Sequence, residues 1–253
     1  MKVLTIGDLR FNEPHYWSHA YSSQESDQDG WIVPPADRMP SPNIGNKITP
    51  KFLIVHYSVA PQKSDNNVER IKRWCTNKGK ASCHFVILRD GTVWQSVSLL
   101  KQAWHAGESE WTDDDGRTYT SLNKWSFGVE LDNMGKLTRK GDKYYDCYGS
   151  EWQGAVAKYG DTYWEPFRLE QIYALADVID AIDDRYPGIK VLGHEDIAPK
   201  RKIDPGKCFP WDLLQVLIDS KSDPMPMYAA SRYVIPYTGK TVIGDTSNPI
   251  IRR

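Results

Sequence analysis

The sequence predicts an α/β fold, a mixed central β-sheet flanked by helices. Three observations carry that expectation. Short β-branched and apolar runs, of which KFLIVHYS (51–58) is the clearest, have the length and composition of buried strands. Apolar stripes of helical period stand between such runs. One pair of runs flanks Asp90-Gly91, a two-residue turn signal that joins antiparallel strands. Strands interleaved with helices imply parallel members, and the hairpin makes the sheet mixed.

The elements follow in order. Residues 1 to about 45 are polar and rich in turn formers, with VPPADRMPSPN as the clearest loop, and read as an arm that wraps a domain. After the strand at 51–58, APQKSDNN breaks the chain. In VERIKRWCTNKG, Val68, Ile71, Trp74 and Cys75 fall at helical spacing and Gly79 is the stop. SCHFVILRDGTVWQSVSL is the hairpin, and WSFGVELDN (125–133) is a further strand. From about 134 to 165 runs a polar, aromatic insertion with little periodicity, expected as a long excursion that holds at most a small hairpin. FRLEQIYALADVIDAIDDRYPG carries the best helical stripe: Leu169, Ile172, Leu175, Ala176, Ile179 and Ile182, ended by Pro187-Gly188. IKVLGH is a short strand feeding the kinked, proline-bounded loop GHEDIAPKRKIDPG. PWDLLQVLIDS is the last helix, with Pro210 before it and Asp212 in its first turn. The expected organisation is an arm at 1–37, a domain at 38–220 and a tail at 221–253.

Composition excludes several classes. A formal net charge of −1 advertises no nucleic-acid arm and no basic membrane patch. No apolar run approaches the length of a membrane span. Asp8, Arg10 and Glu13 interrupt the N-terminal apolar run before a signal-peptide core can form. Synthesis in the cytoplasm is therefore expected, with action there or on the wall after release by another route. Cys75, Cys83, Cys147 and Cys208 form no CxxC pair and are too scattered for a disulfide scaffold, so reduced thiols are expected. Ten Trp and fourteen Tyr are unusual; each by itself reads as core or rim packing, and as a set they also suit a groove that stacks on sugar rings or peptides.

The chemistry-bearing residues sit at strand ends. His56 closes the first strand and His194 the last, and Asp204 follows in the charged loop. Two imidazoles and one carboxylate suffice for a catalytic zinc, which takes three protein ligands and leaves its fourth place to water. Lys202 lies two residues before Asp204 and, in an extended segment, points the same way. Its ammonium is then placed to stabilise an oxyanion. Glu130 ends an apolar run, where a carboxylate is rarely free unless paired or functional. As a functional group it orients the zinc water and accepts its proton.

In this order the motifs resemble the zinc-dependent N-acetylmuramoyl-L-alanine amidases of the amidase type 2 family. RMPSPN resembles the family's entry segment, and FLIVHY carries His56. CHFVILRDGTVWQSV is the central hairpin, followed by QAWHAG. LNKWSFGVEL brings Glu130, YPGIKVLGHEDIAPKRKIDPG brings His194, Lys202 and Asp204, and FPWDLL closes. The likeness covers about residues 38 to 217. It is nearest the branch of cytoplasmic anhydromuramyl-peptide amidases, which carries Asp as third ligand and a Glu on the strand. The phage lysozyme-type branch has a Cys ligand and a Tyr where Cys83 stands here.

The resemblance implies one Zn2+ held by His56, His194 and Asp204, with Glu130 and Lys202 as catalytic partners. It also implies that Trp104, His105, Ala106, Gly107 and Asn123 border bound muramyl-peptide, that His84 packs behind the site, and that Cys208 is no ligand. The partner is peptidoglycan or a muramyl-peptide, and the reaction is cleavage of the amide between the lactyl group and L-alanine, as in cell-wall recycling or an endolysin. Two alternatives share the scaffold. A binding module of the fold lacks the third ligand, which Asp204 supplies here; a zinc peptidase would cut within the stem. A Ser/His/Asp triad is set aside because no G-x-S-x-G elbow is present.

Overall fold

A computed structural model describes residues 28–32, 36–61, 67–79, 81–219 and 242–243. Most of the arm expected at 1–37 and most of the tail expected at 221–253 lie outside the described residues. In chain order the elements are β1 (Asp37–Arg38), β2 (Ile44–Lys47), β3 (Phe52–Tyr57), α1 (Asn67–Thr76), β4 (Phe85–Ile87), β5 (Val93–Gln95) and β6 (Lys101–Ala103). Then come β7 (Glu110–Thr112), β8 (Thr118–Thr120), a 3-10 turn (Leu122–Lys124), β9 (Ser126–Leu131), β10 (Lys136–Lys140), β11 (Lys143–Tyr145), β12 (Ala157–Tyr159) and β13 (Thr162–Trp164). α2 (Leu169–Asp183), β14 (Lys190–Gly193), α3 (His194–Ile197), α4 (Trp211–Asp219) and β15 (Val242–Ile243) complete the series.

Six strands form the central sheet in the order β1-β5-β4-β9-β3-β14. β4, β9, β3 and β14 run parallel, and the β4–β5 hairpin is antiparallel, with Phe85 opposite Gln95. The mixed sheet predicted from the sequence is therefore the sheet found. Its turn brings Gly91 to a φ of 86°, a conformation that costs a glycine little.

The period of two sorts each central strand into two faces. Leu53 and Val55 of β3, with Phe127, Val129 and Leu131 of β9, pack in one core with Ile172, Leu175, Ile179 and Ile182 of α2 and with Leu213 and Leu214 of α4. Burying an aliphatic side chain of this kind stabilises by about 1.5–3 kcal/mol, which is why the α2 stripe docks there. The opposite face presents Phe52, Ile54 and His56 of β3 beside Ser126, Gly128 and Glu130 of β9, because the register pairs those residues in that order. Phe52 and Ile54 pack with Tyr119, Leu122, Leu192 and Ile197 in a smaller second core.

Two segments differ from expectation. The insertion at 134–165 holds four strands, in the hairpins β10–β11 and β12–β13, and β13 pairs with β10 to make one sheet that β15 extends. Only Leu137 of β10 and Trp164 of β13 are buried in those two strands, so the pattern has one apolar residue where a half-buried strand would show two or three. The charged loop after β14 begins with one helical turn, α3. Asp196 reaches back to accept the Gly193 N–H at 2.6 Å, and Pro199 ends the turn.

Candidate metal centre

β3, β9 and β14 deliver their carboxyl ends to one edge of the sheet. Loops leaving such ends are where α/β sheets build sites. His56 and Glu130 are register partners on adjacent strands, so their side chains leave the same face side by side. His194 follows Gly193, the residue opposite Val55, and so comes level with His56. Asp204 returns from the loop because the Glu195 N–H donates to the Asp204 carbonyl at 2.8 Å. Gly193 makes room for that return: a Cβ there would stand 2.7 Å from Pro205 Cδ.

The three side chains converge. His56 Nδ1 lies 2.8 Å from His194 Nδ1 and 3.1 Å from Asp204 Oδ2, and His194 Nδ1 lies 3.0 Å from the same oxygen. All three residues are buried, and among the described residues they form the group able to hold a metal ion. Burial pushes the His56 imidazole down to about 4; the Asp204 carboxylate beside it opposes this, while His194 and Lys202 push the same way. Burial works to raise the Asp204 carboxyl, but the His194 and His56 rings close against it prevail and hold it below the usual carboxylate range.

Each ring's outer nitrogen decides which atom faces the centre. His194 Nε2 stands 3.1 Å from the Ala106 carbonyl, which can only accept, so that nitrogen carries the proton and Nδ1 keeps its lone pair. His105 Nε2 stands 3.2 Å from the Ser126 carbonyl and carries its proton for the same reason. The buried His105 ring meets no carboxylate at either nitrogen that could hold a second proton there, so its Nδ1 keeps a lone pair and accepts. His56 Nε2, 3.0 Å from that Nδ1, must therefore donate, and His56 Nδ1 is bare. Two imidazole lone pairs and a carboxylate oxygen thus point at one another with no proton between them.

Three acceptors within 3.1 Å repel unless a cation lies between them. Donors at about 2.0–2.2 Å around a tetrahedral centre stand roughly 3.3–3.5 Å apart, and the near-equilateral triangle here is slightly tighter. The donor set therefore fits a small divalent cation.

The other expected residues are distributed around this centre. Lys202 lies close enough for its charge to act on His56, and its amide donates to the Ala198 carbonyl at 2.9 Å. Glu130 is buried. Trp104 is exposed at the rim. His105 and Ala106 are buried and face the two imidazoles. Gly107 adopts a φ of 61° against the Arg201 guanidinium. Asn123 Oδ1 accepts the His105 N–H at 3.0 Å and the Ala106 N–H at 2.8 Å. His84 is buried behind the site: its Nε2 donates to the Lys101 carbonyl at 2.9 Å and its Nδ1 accepts the Gly128 N–H at 3.1 Å. The Cys208 thiol, pushed up to about 12 by burial, lies outside the cluster.

Sequence reasoning missed two neighbours of the centre. Gly128 has no side chain where a Cβ would overlap the His105 ring, and a lone glycine inside a strand is a signal of such an approach. Arg201 Nη2 donates to the Ala106 and Glu108 carbonyls at 2.8 Å each; in a run of basic residues it carried no distinguishing mark.

Comparison with known proteins places this arrangement. A family model described as N-acetylmuramoyl-L-alanine amidase matches residues 46–207. The N-acetylmuramoyl-L-alanine amidase AmiD of Escherichia coli K12 is 40% identical over 174 residues, covering 65% of this chain and 51% of that protein. The chain thus spans about half the length of that relative. The 1,6-anhydro-N-acetylmuramyl-L-alanine amidase AmpD of Escherichia coli K12 is 30% identical over 213 residues, covering 77% of this chain and 98% of that one. The crystal structure of a Se-Met AmpD derivative matches with a TM-score of 0.56 at 29% identity, covering 75% of this chain and 97% of that chain. The sheet, the convergent His-His-Asp set and these likenesses agree, and the chain belongs to the amidase type 2 family of N-acetylmuramoyl-L-alanine amidases.

Proposed function

We propose that the chain is a zinc hydrolase that cleaves the amide between the lactyl group of N-acetylmuramic acid and L-alanine, in peptidoglycan or its soluble fragments. The observation that carries this reading is the convergence of three donors, His56 Nδ1, His194 Nδ1 and Asp204 Oδ2, with Glu130 beside His56 on the same face. A zinc ion held by these donors supplies a Lewis acid and water made acidic enough to attack near neutral pH.

The chain's own residues supply the rest. Glu130 takes a proton from water as the water oxygen bonds to the lactyl carbonyl carbon. Lys202, on the strand of loop that leads into Asp204, holds its ammonium against the oxygen that becomes negative. Collapse breaks the carbon–nitrogen bond, and Glu130 delivers its proton to the departing L-alanine nitrogen. The products are a free lactyl carboxylate and a stem peptide beginning with L-alanine. Trp104, exposed beside the site, offers an aromatic face to the sugar. The insertion sheet forms one wall: Trp164 packs on Gly206 and Tyr57 on Gly135, where side chains would overlap those rings.

The test is direct. Purified protein is assayed for zinc, then incubated with intact sacculi and with an anhydromuramyl-peptide, and products are identified by mass spectrometry. One zinc per chain and stem peptides starting in L-alanine are expected. A zinc-loaded protein that binds wall and releases no amine would instead be a binding module. Cuts within the stem would make it a peptidase.

A further inference from the structure

We propose that the dipeptide His105–Ala106 is a positioning element that fixes the proton-bearing nitrogen of both imidazole ligands, keeping the metal seat free of protons before a metal arrives. The inference rests on the zinc reading above and concerns what holds the ligands.

Without such a device the site would close on itself. A neutral His56 with its proton on Nδ1 would donate that proton to Asp204 Oδ2, 3.1 Å away, and the seat would be filled by a hydrogen bond. An entering cation would then have to displace the proton. The same holds for His194, whose Nδ1 is 3.0 Å from that oxygen. In the structure each outer nitrogen has an acceptor that makes the other tautomer costly. Moving the His56 proton inward would set the lone pairs of His56 Nε2 and His105 Nδ1 against each other at 3.0 Å. Moving the His194 proton inward would set a lone pair against the Ala106 carbonyl at 3.1 Å. Two adjacent residues therefore govern both ligands, one by its ring and one by its backbone.

The dipeptide is itself held on four sides. Asn123 Oδ1 accepts both its amides. The Ser126 carbonyl fixes the His105 tautomer at 3.2 Å. Gly128 leaves room for the ring to lie on β9, between His56 and His84. Arg201 donates to the Ala106 carbonyl at 2.8 Å, beside the bond from His194. Such outer partners commonly decide metal affinity by a factor of about 10–100.

The experiment compares His105→Leu, which deletes the acceptor, with His105→Asn, whose amide oxygen takes the place of Nδ1. Arg201→Met, a change at an exposed residue, tests the Ala106 half without touching the core. Two quantities are read: the ring-nitrogen chemical shifts of His56 and His194 in metal-free protein, and zinc affinity by chelator competition. Metal-free wild type should carry its protons on Nε2 of both rings. His105→Leu should move the His56 proton to Nδ1 and weaken zinc by roughly 10–100-fold. His105→Asn should recover most of that affinity, and Arg201→Met should weaken zinc several-fold through His194 alone. The proposal is overturned if metal-free wild type carries a proton on His56 Nδ1. It also falls if either folded loss variant leaves tautomers and affinity unchanged. Wild type that takes up no zinc would defeat the zinc reading, while the metal-free spectra decide the positioning claim separately.

Discussion

Arg89 joins the insertion to the sheet, and replacing it should be among the costliest single changes outside the metal centre. Its Nε and Nη2 donate to the two Glu165 oxygens at 2.8 and 3.0 Å, its Nη1 donates to Asp132 Oδ2 at 2.8 Å, and its Nη2 donates to the Ala60 carbonyl at 2.9 Å. The three side chains are 12%, 3% and 11% exposed, so solvent screens them little. Glu165 also accepts the Met134 N–H at 2.6 Å, which ties the two ends of the insertion together. Arg89→Met removes the shared cation and leaves two buried carboxylates facing each other. Breaking a buried pair in this way costs about 3–5 kcal/mol. Arg89→Lys keeps the charge and loses the fork, so about 1–3 kcal/mol is expected. Urea unfolding followed by tryptophan fluorescence measures both, and with a slope of about 1–3 kcal/mol/M the methionine variant should shift its midpoint by more than about 1 M. Adding Glu165→Gln to Arg89→Met should restore part of the loss, because one uncompensated charge is gone. A methionine variant within about 1 kcal/mol of wild type, or equal to the lysine variant, would refute the clasp.

Three further outcomes are expected. Lys202→Ala should lower kcat roughly a hundred- to thousandfold and leave zinc content unchanged; near-normal turnover would remove Lys202 from the chemistry. Burial holds the His84 imidazole down to about 4, below its unfolded value near 6.5, so its contribution is complete above pH 6.5 and lost as the unfolded state takes up a proton between pH 6.5 and 4. That amounts to about 3 kcal/mol, and His84→Asn, less stable at pH 7, should show a shallower acid slope in unfolding free energy across that window; an equal slope would contradict it. Deleting residues 138–160 should spare cleavage of small muramyl peptides and abolish cleavage of intact sacculi, and equal loss on both would sink the insertion as a substrate wall.

What was legible in the sequence was what periodicity and residue type encode locally. α2 announced itself because Ile172, Leu175, Ile179 and Ile182 all face one core. The hairpin was legible because its turn needs the Asp90-Gly91 chemistry. His56, His194 and Asp204 stood out as metal-binding types at strand ends, although their convergence depends on a parallel register that no local pattern encodes. The insertion was not legible as a sheet, because its strands bury few side chains and alternation had little to mark. The clasp of Arg89, Asp132 and Glu165 joins residues 43 and 76 positions apart, so each one alone reads as an ordinary surface charge.

Strand β9 explains why so small a chemical set can be held so firmly. Its odd-numbered residues, Phe127, Val129 and Leu131, are core. Its even-numbered residues, Ser126, Gly128 and Glu130, do separate work for the site: a carbonyl that fixes His105, a missing side chain that admits its ring, and a carboxylate level with His56. Slipping the strand by one residue would put Glu130 into the helix-facing core and Val129 beside His56. The burial that stabilises the sheet therefore also enforces the register of the site. A mutation that loosens the α2 packing against β9 should disturb metal affinity even though it lies on the opposite face.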